Sequence, residues 1–126
     1  MTVRQLRLSP LPKTWIVDLD GVLLRHNGHL RGEDEILAGV ADFAAQIGPD
    51  DLVVVMTARH EREREASLAL LRDAGLHVDI ALFGVPVGER VLINDAKPSG
   101  LRTAYAVNLS RDEGLPGIRI EIDDSL

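Results

Sequence analysis

Apolar residues along this chain recur in two spacings, short unbroken runs and helical repeats, and the two alternate. Trp15-Ile16-Val17 is a short run ending in Asp18-Leu19-Asp20-Gly21, which predicts a buried strand opening into polar residues. Over residues 34–46 apolar side chains return at Ile36, Leu37, Val40, Phe43 and Ala44, a helical period that Gly48-Pro49 halts. Residues 52–56 are unbroken Leu, Val and Met and predict a strand covered on both faces, ending at Thr57-Ala58-Arg59. A second helix is expected over 61–74, with Ala66, Leu70, Leu71 and Ala74 inward and Gly75 closing it. Residues 78–83, 91–93 and 103–109 follow as strands, and 118–122 alternates like a half-exposed edge strand. Between the first strand and the first helix, Asn27-Gly28 predicts the tight turn of a β-hairpin flanked by 23–25 and 29–31. Residues 1–13, with Pro10 and Pro12, read as an extended arm or edge segment.

Strand, helix, strand, helix, strand implies right-handed βαβ units and a mainly parallel sheet. The expected class is α/β: a three-layer, Rossmann-like sheet with helices on both faces. At 126 residues, without linker, repeat or low-complexity tract, the whole chain reads as a single domain. Aromatics are 3% of residues, so Leu, Val, Ile and Ala must build the core.

Charge and cysteine content narrow the chemistry. A net charge of −6 argues against tracking a phosphate backbone, so a nucleic-acid partner is not expected; a small anionic ligand remains compatible, because local cations dominate a site. The absence of cysteine removes disulfides, thiolate zinc sites and thiol nucleophiles together. No apolar run spans a bilayer and the start carries no apolar signal core, so a cytoplasmic protein without membrane contact is expected.

Three predicted strands end in polar residues: Asp18 and Asp20, Thr57, and Asp95. In open parallel sheets ligands bind at the carboxyl ends of strands, so these groups can meet although far apart in the chain. Asp18 and Asp20, two apart on extended backbone, point the same way. Adjacent carboxylates avoid repulsion when a cation lies between them or one holds a proton, the split that a nucleophile and a general acid need. Gly21 then lets the chain turn away, and Asp95 would complete an oxygen-rich site for Mg²⁺.

Residues 15–23, Trp-Ile-Val-Asp-Leu-Asp-Gly-Val-Leu, resemble the first motif of the haloacid dehalogenase superfamily; 53–57 and 91–95 resemble its second and fourth, in order, so the resemblance covers nearly the whole chain. It implies Asp18 as nucleophile and metal ligand, Asp20 as general acid/base and, through its carbonyl, metal ligand, Thr57 as phosphoryl hydrogen-bond donor, and Asp95 as a further ligand of Mg²⁺. The basic third motif departs from the usual pattern: Arg90 and Lys97 are the candidates to steady the phosphoryl oxygens, with Lys97 preferred because it follows its strand. Gly21, Ala58 and Arg59 are candidate substrate contacts. Residues 22–31 are similar to the family's flap, and no interval is long enough for a cap domain, which implies an open site suited to a large substrate or covered by a second subunit in a homo-oligomer.

The implied activity is Mg²⁺-dependent hydrolysis of a phosphomonoester through a phosphoryl-aspartate. Residues 92–100 with 103–106 are similar to small capless members associated with sugar-phosphate and surface-polysaccharide metabolism, which suggests a small sugar phosphate. Alternatives are a nucleic-acid-end phosphatase, a phospho-accepting receiver-like domain, which Thr57-Ala58 and Lys97-Pro98 imitate, and a weakly catalytic binding domain. His26, His29 and His60 read either as substrate contacts or as exposed turn and helix-start residues.

Overall fold

A computed structural model describes residues 4–126. It is an α/β molecule with parallel strands in two small sheets and two short α-helices. Strand β1 (Arg4–Leu8) pairs in parallel with the last strand, β5 (Ile118–Ile122). Strands β2 (Thr14–Asp18), β3 (Leu52–Met56) and β4 (Ile80–Leu82) form a second parallel sheet in that order. Helix α1 (Val40–Ala45) links β2 to β3, and α2 (Arg64–Asp73) links β3 to β4.

Two right-handed crossovers that step in the same direction put both helices on one face of the sheet. The burial pattern agrees. Trp15 pairs with Val53 and Val17 with Val55, and on this face Val17, Val53 and Val55 are all buried. Phe43 of α1 stacks edge-on against Trp15, and Leu71 of α2 joins the same core. The opposite face carries Ile16, Ile80 and Leu82, which are 53%, 45% and 44% exposed. The expectation of helices on both faces is therefore corrected: one face is covered and the other is open.

The cause lies further along the chain. Residues 91–93 and 103–109, expected as strands, form no ladder; Val91, Leu92 and Ile93 are exposed, and 89–109 runs without regular secondary structure. A strand on the free edge of β2 would reverse the stepping direction and send its crossover to the open face, but among the described residues none pairs there.

Two further expectations change in detail. The helix predicted over 34–46 spans only Val40–Ala45, because the chain first pairs Arg25 with Glu35 and Leu23 with Leu37 through backbone hydrogen bonds. These bonds and the antiparallel bridge between Leu24 and Ile36 make a wider hairpin than the one predicted around Asn27-Gly28; the pair instead opens a 3₁₀ turn, Gly28–Leu30, with Asn27 at φ 53°. Of the arm over 1–13, Arg4–Leu8 is a paired strand, and residues 1–3 lie outside the described residues. Among the described residues no helix is long and apolar enough to cross a membrane.

Candidate active site

Asp18 is the last residue of β2. The chain then makes a tight loop in which the N–H groups of Leu23 and Leu24 donate to the carbonyl of Leu19, and that of Gly21 donates to the carbonyl of Leu24. Leu19, Leu23 and Leu24 are fully buried, so three apolar anchors hold a loop that presents Asp18 and Asp20 at the strand end. Gly21, at φ 82°, occupies the left-handed region that permits this turn.

The Asp18 side chain is half exposed, and its Oδ1 accepts from the Leu19 N–H at 3.0 Å. The Arg90 guanidinium stands 3.9 Å from the same oxygen, steered there by hydrogen bonds from its Nη1 to the carbonyls of Pro86 and Gly88. Partial burial raises the Asp18 carboxyl above its ordinary range; Arg90 and the Leu19 N–H oppose the shift without cancelling it, and Asp20 adds to it.

Asp20 is held differently. Arg59 donates Nε and Nη2 to its carboxylate, at 3.1 and 2.9 Å to Oδ1, and the Thr57 hydroxyl donates to Oδ2 at 3.2 Å. The same guanidinium donates to both oxygens of Asp34, at 2.8 and 2.9 Å, and to the Ser67 hydroxyl at 3.1 Å. The Arg59 side chain is only 1% exposed, so this is a buried cation shared by two carboxylates. Desolvation alone would ease its deprotonation, but the bonds to Asp34 and Asp20 outweigh it and secure the charge. Ser67 lies one turn before the buried Leu71, which is why α2 turns Ser67 and Leu71 inward and leaves Ala66, expected in the core, exposed.

A cavity of about 710 Å³ lies above these residues, with Asp18, Asp20, Gly21, Ala58, Arg59 and Arg90 in its wall. Thr57 is fully buried beneath it: its hydroxyl gives its one hydrogen to Asp20 and accepts from the Arg59 N–H, so no donor is left for a phosphoryl oxygen in this arrangement. Asp95 and Lys97 do not line the cavity. The Asp95 carbonyl accepts from the Thr103 hydroxyl at 2.7 Å, and Lys97 lies in an exposed turn closed by the Gly100 N–H. Of the two basic candidates, Arg90 is the one brought to Asp18.

Of the expected Mg²⁺ ligands, Asp18 and Asp20 share the cavity wall and Asp95 does not join them, and among the described residues no group of three or more His, Asp or Glu side chains converges on one point. No family model, curated protein or solved structure matches this chain. The site must be read from its own chemistry.

That chemistry includes residues the motifs did not reveal. Asp34 was read only as the start of a helix, yet it anchors Arg59. Asp112, near the other end of the chain, accepts from the His26 N–H at 2.7 Å while its own N–H donates to the Gly21 carbonyl at 2.9 Å. It holds φ 64°, a left-handed conformation unusual for a non-glycine residue although Asp is among those that adopt it most, and the two long-range bonds to His26 and Gly21 hold it there. His26, His29 and His60 all line the cavity. His60 also caps the turn before α2, its Nδ1 accepting from the Arg62 N–H, a local signal visible in the sequence only as a polar residue before a charged helix start.

Proposed function

We propose that this chain is a phosphomonoester hydrolase of the haloacid dehalogenase type that forms a phosphoryl-aspartate on Asp18. The observation that carries the reading is a half-exposed carboxylate at the carboxyl end of a parallel strand, opening into a cavity and faced by a cation anchored on backbone carbonyls. Phosphoryl transfer is governed by positioning and charge, and such a pair supplies both. An oxygen of Asp18 attacks phosphorus and the bond to the ester oxygen breaks, while Arg90 neutralises a phosphoryl oxygen. The leaving alkoxide takes its proton from solvent, and Asp20, held as a carboxylate by Arg59 and Thr57, then takes a proton from the water that attacks phosphorus and releases phosphate, regenerating Asp18. Arg59 fixes where Asp20 stands. Mg²⁺ is proposed as the required cation on the sequence pattern alone, where it would add charge at the phosphoryl group.

The test is phosphate release from p-nitrophenyl phosphate with Mg²⁺. Turnover that EDTA abolishes is expected, and Asp18→Asn should reduce it to background; turnover unchanged in Asp18→Asn rules out the covalent route. A second reading, a binding domain with little catalysis, is favoured by the acceptor capacity that Asp20 already spends on Arg59 and Thr57. It predicts phosphate binding without release in the same assay.

A further inference from the structure

The wall of the cavity is far more basic than the chain as a whole. The chain carries a net charge of −6, yet three of its four histidines and four of its arginines face this one space. Three of those arginines have local partners: Arg59 holds Asp20 and Asp34, Arg62 lies 3.7 Å from Glu63, and Arg90 faces Asp18. Arg111 has no carboxylate within ion-pair distance among the described residues, although it comes from a distant part of the sequence. It is pinned in place by its neighbour. The Asp112 N–H bonds the Gly21 carbonyl, the Asp112 carboxylate holds the His26 N–H, and the Arg111 side chain packs 3.3 Å from where a Cβ on Gly21 would stand. A strained φ at Asp112 is thus kept in a position that sets an unpaired cation beside the Asp20-Gly21 corner. On the same wall, Nδ1 of His29 is enclosed with no hydrogen-bond partner among the described residues, a group that calls for a ligand or water. The cavity volume suits a drug-sized organic ligand, well beyond a lone phosphate.

We propose that the cavity takes a phosphomonoester bearing a second anionic group, phosphate or carboxylate, and that Arg111 seats this second group while the first lies at Asp18 and Arg90. The inference rests on the phosphomonoester reading for the first group and adds the substrate class. An unpaired guanidinium is matched to such a group, because its planar fork binds phosphate or carboxylate through two parallel hydrogen bonds.

The experiment is calorimetric titration of the full chain with α,ω-alkanediol bisphosphates and the corresponding monophosphates over a range of chain lengths, at physiological salt. At least one bisphosphate should bind about tenfold more tightly than its monophosphate, the gain expected of one charge-assisted contact. Arg111→Gln should bring that ratio close to one. Arg102→Gln, which removes an equal charge from a side chain stacked on Tyr105 outside the cavity, should leave the ratio intact. Equal affinities across the whole series overturn the proposal without recourse to any variant, as does a preference that survives Arg111→Gln. Binding needs no turnover, so the two readings fail separately: a bisphosphate preference without phosphate release removes the hydrolase, and release from p-nitrophenyl phosphate without the preference removes the second-anion site.

Discussion

Single side chains at this site work against one another, and the conflict gives two measurable signs. The Asp18 carboxyl is raised in the folded chain, so the native state binds more protons than the unfolded state between the ordinary carboxylate range and the raised value. Stability must fall as pH rises through that window. Asp18→Asn removes the penalty, so its melting temperature should exceed that of the unaltered chain at pH ~7 and match it below about pH 3, where the carboxyl is protonated in both states; a lower melting temperature at neutral pH would show that Asp18 stabilises the fold. Such a gain on losing a reactive group is the usual cost of holding function in a partly buried place. Arg59 has the opposite sign. Arg59→Leu leaves Asp20 and Asp34 facing each other without their shared cation, and should cost about 3–5 kcal/mol at pH 7 in a denaturant titration. The loss should shrink as acid protonates the carboxylates; a cost below about 1 kcal/mol at neutral pH would mean that the bridge contributes little to the fold. The sequence displayed both aspartates and the arginine openly, but not their pairing. Arg59 is next but one to Thr57 and reads as a substrate contact, since nothing in a linear string shows that Asp34, twenty-five positions away, takes two of its five N–H donors.

Elements were legible where hydrophobic period and local chemistry agreed. Strands β2, β3 and β4 and helix α2 fall where short apolar runs and a helical repeat predicted them. The run over 91–93 has the same composition as a buried strand, yet pairs with nothing, because periodicity reports what a segment could bury and not whether a partner edge reaches it. The wider hairpin escaped for a related reason: Asn27-Gly28 signals a turn, while its width is set by the pairing of 23–25 with 35–37. The join between the segment before α1 and the approach to β5 left a clearer trace in glycine. Gly114 holds φ 75°, and a Cβ there would stand 2.2 Å from the Ala38 carbonyl oxygen. Gly32 holds φ 66° with open space around it. Gly32→Ala should therefore cost only the left-handed penalty of about 1–2 kcal/mol, while Gly114→Ala adds a backbone clash and should cost about 2–4 kcal/mol. Equal losses in parallel denaturant titrations would show that the two segments part freely and that the contact does not hold β5 in place.

At the scale of the whole molecule, the chain is more open than its mass requires. A compact monomer of 13.8 kDa exposes about 6,600 Å² of surface, and this one exposes 8182 Å². The surplus of about 1,500 Å² follows from the features already described: a three-stranded sheet covered on one face, and a stretch over 84–109 whose few internal hydrogen bonds are mostly local, such as those of Arg90 to Pro86 and Gly88 and of Asn94 to Thr103. Local opening is cheapest where few apolar contacts and few backbone bonds must break, so this stretch should yield to protease before the βα units do. Trypsin should cut first after Arg90 and Arg102, sparing Lys97 because Pro98 follows it, and reach Arg64 and Arg72 in α2 only later. Arg90 lies both in this loose stretch and beside Asp18, so occupancy of the site should be readable from cleavage. Millimolar inorganic phosphate should slow the cut at Arg90, which gains a partner, and leave the cut at Arg102 unchanged. First cuts within α2, seen by mass spectrometry of the early fragments, would show that 84–109 is tied down more firmly than its hydrogen bonds indicate; equal protection at Arg90 and Arg102 would place the anion's effect on the segment as a whole and not on the arginine that faces the nucleophile.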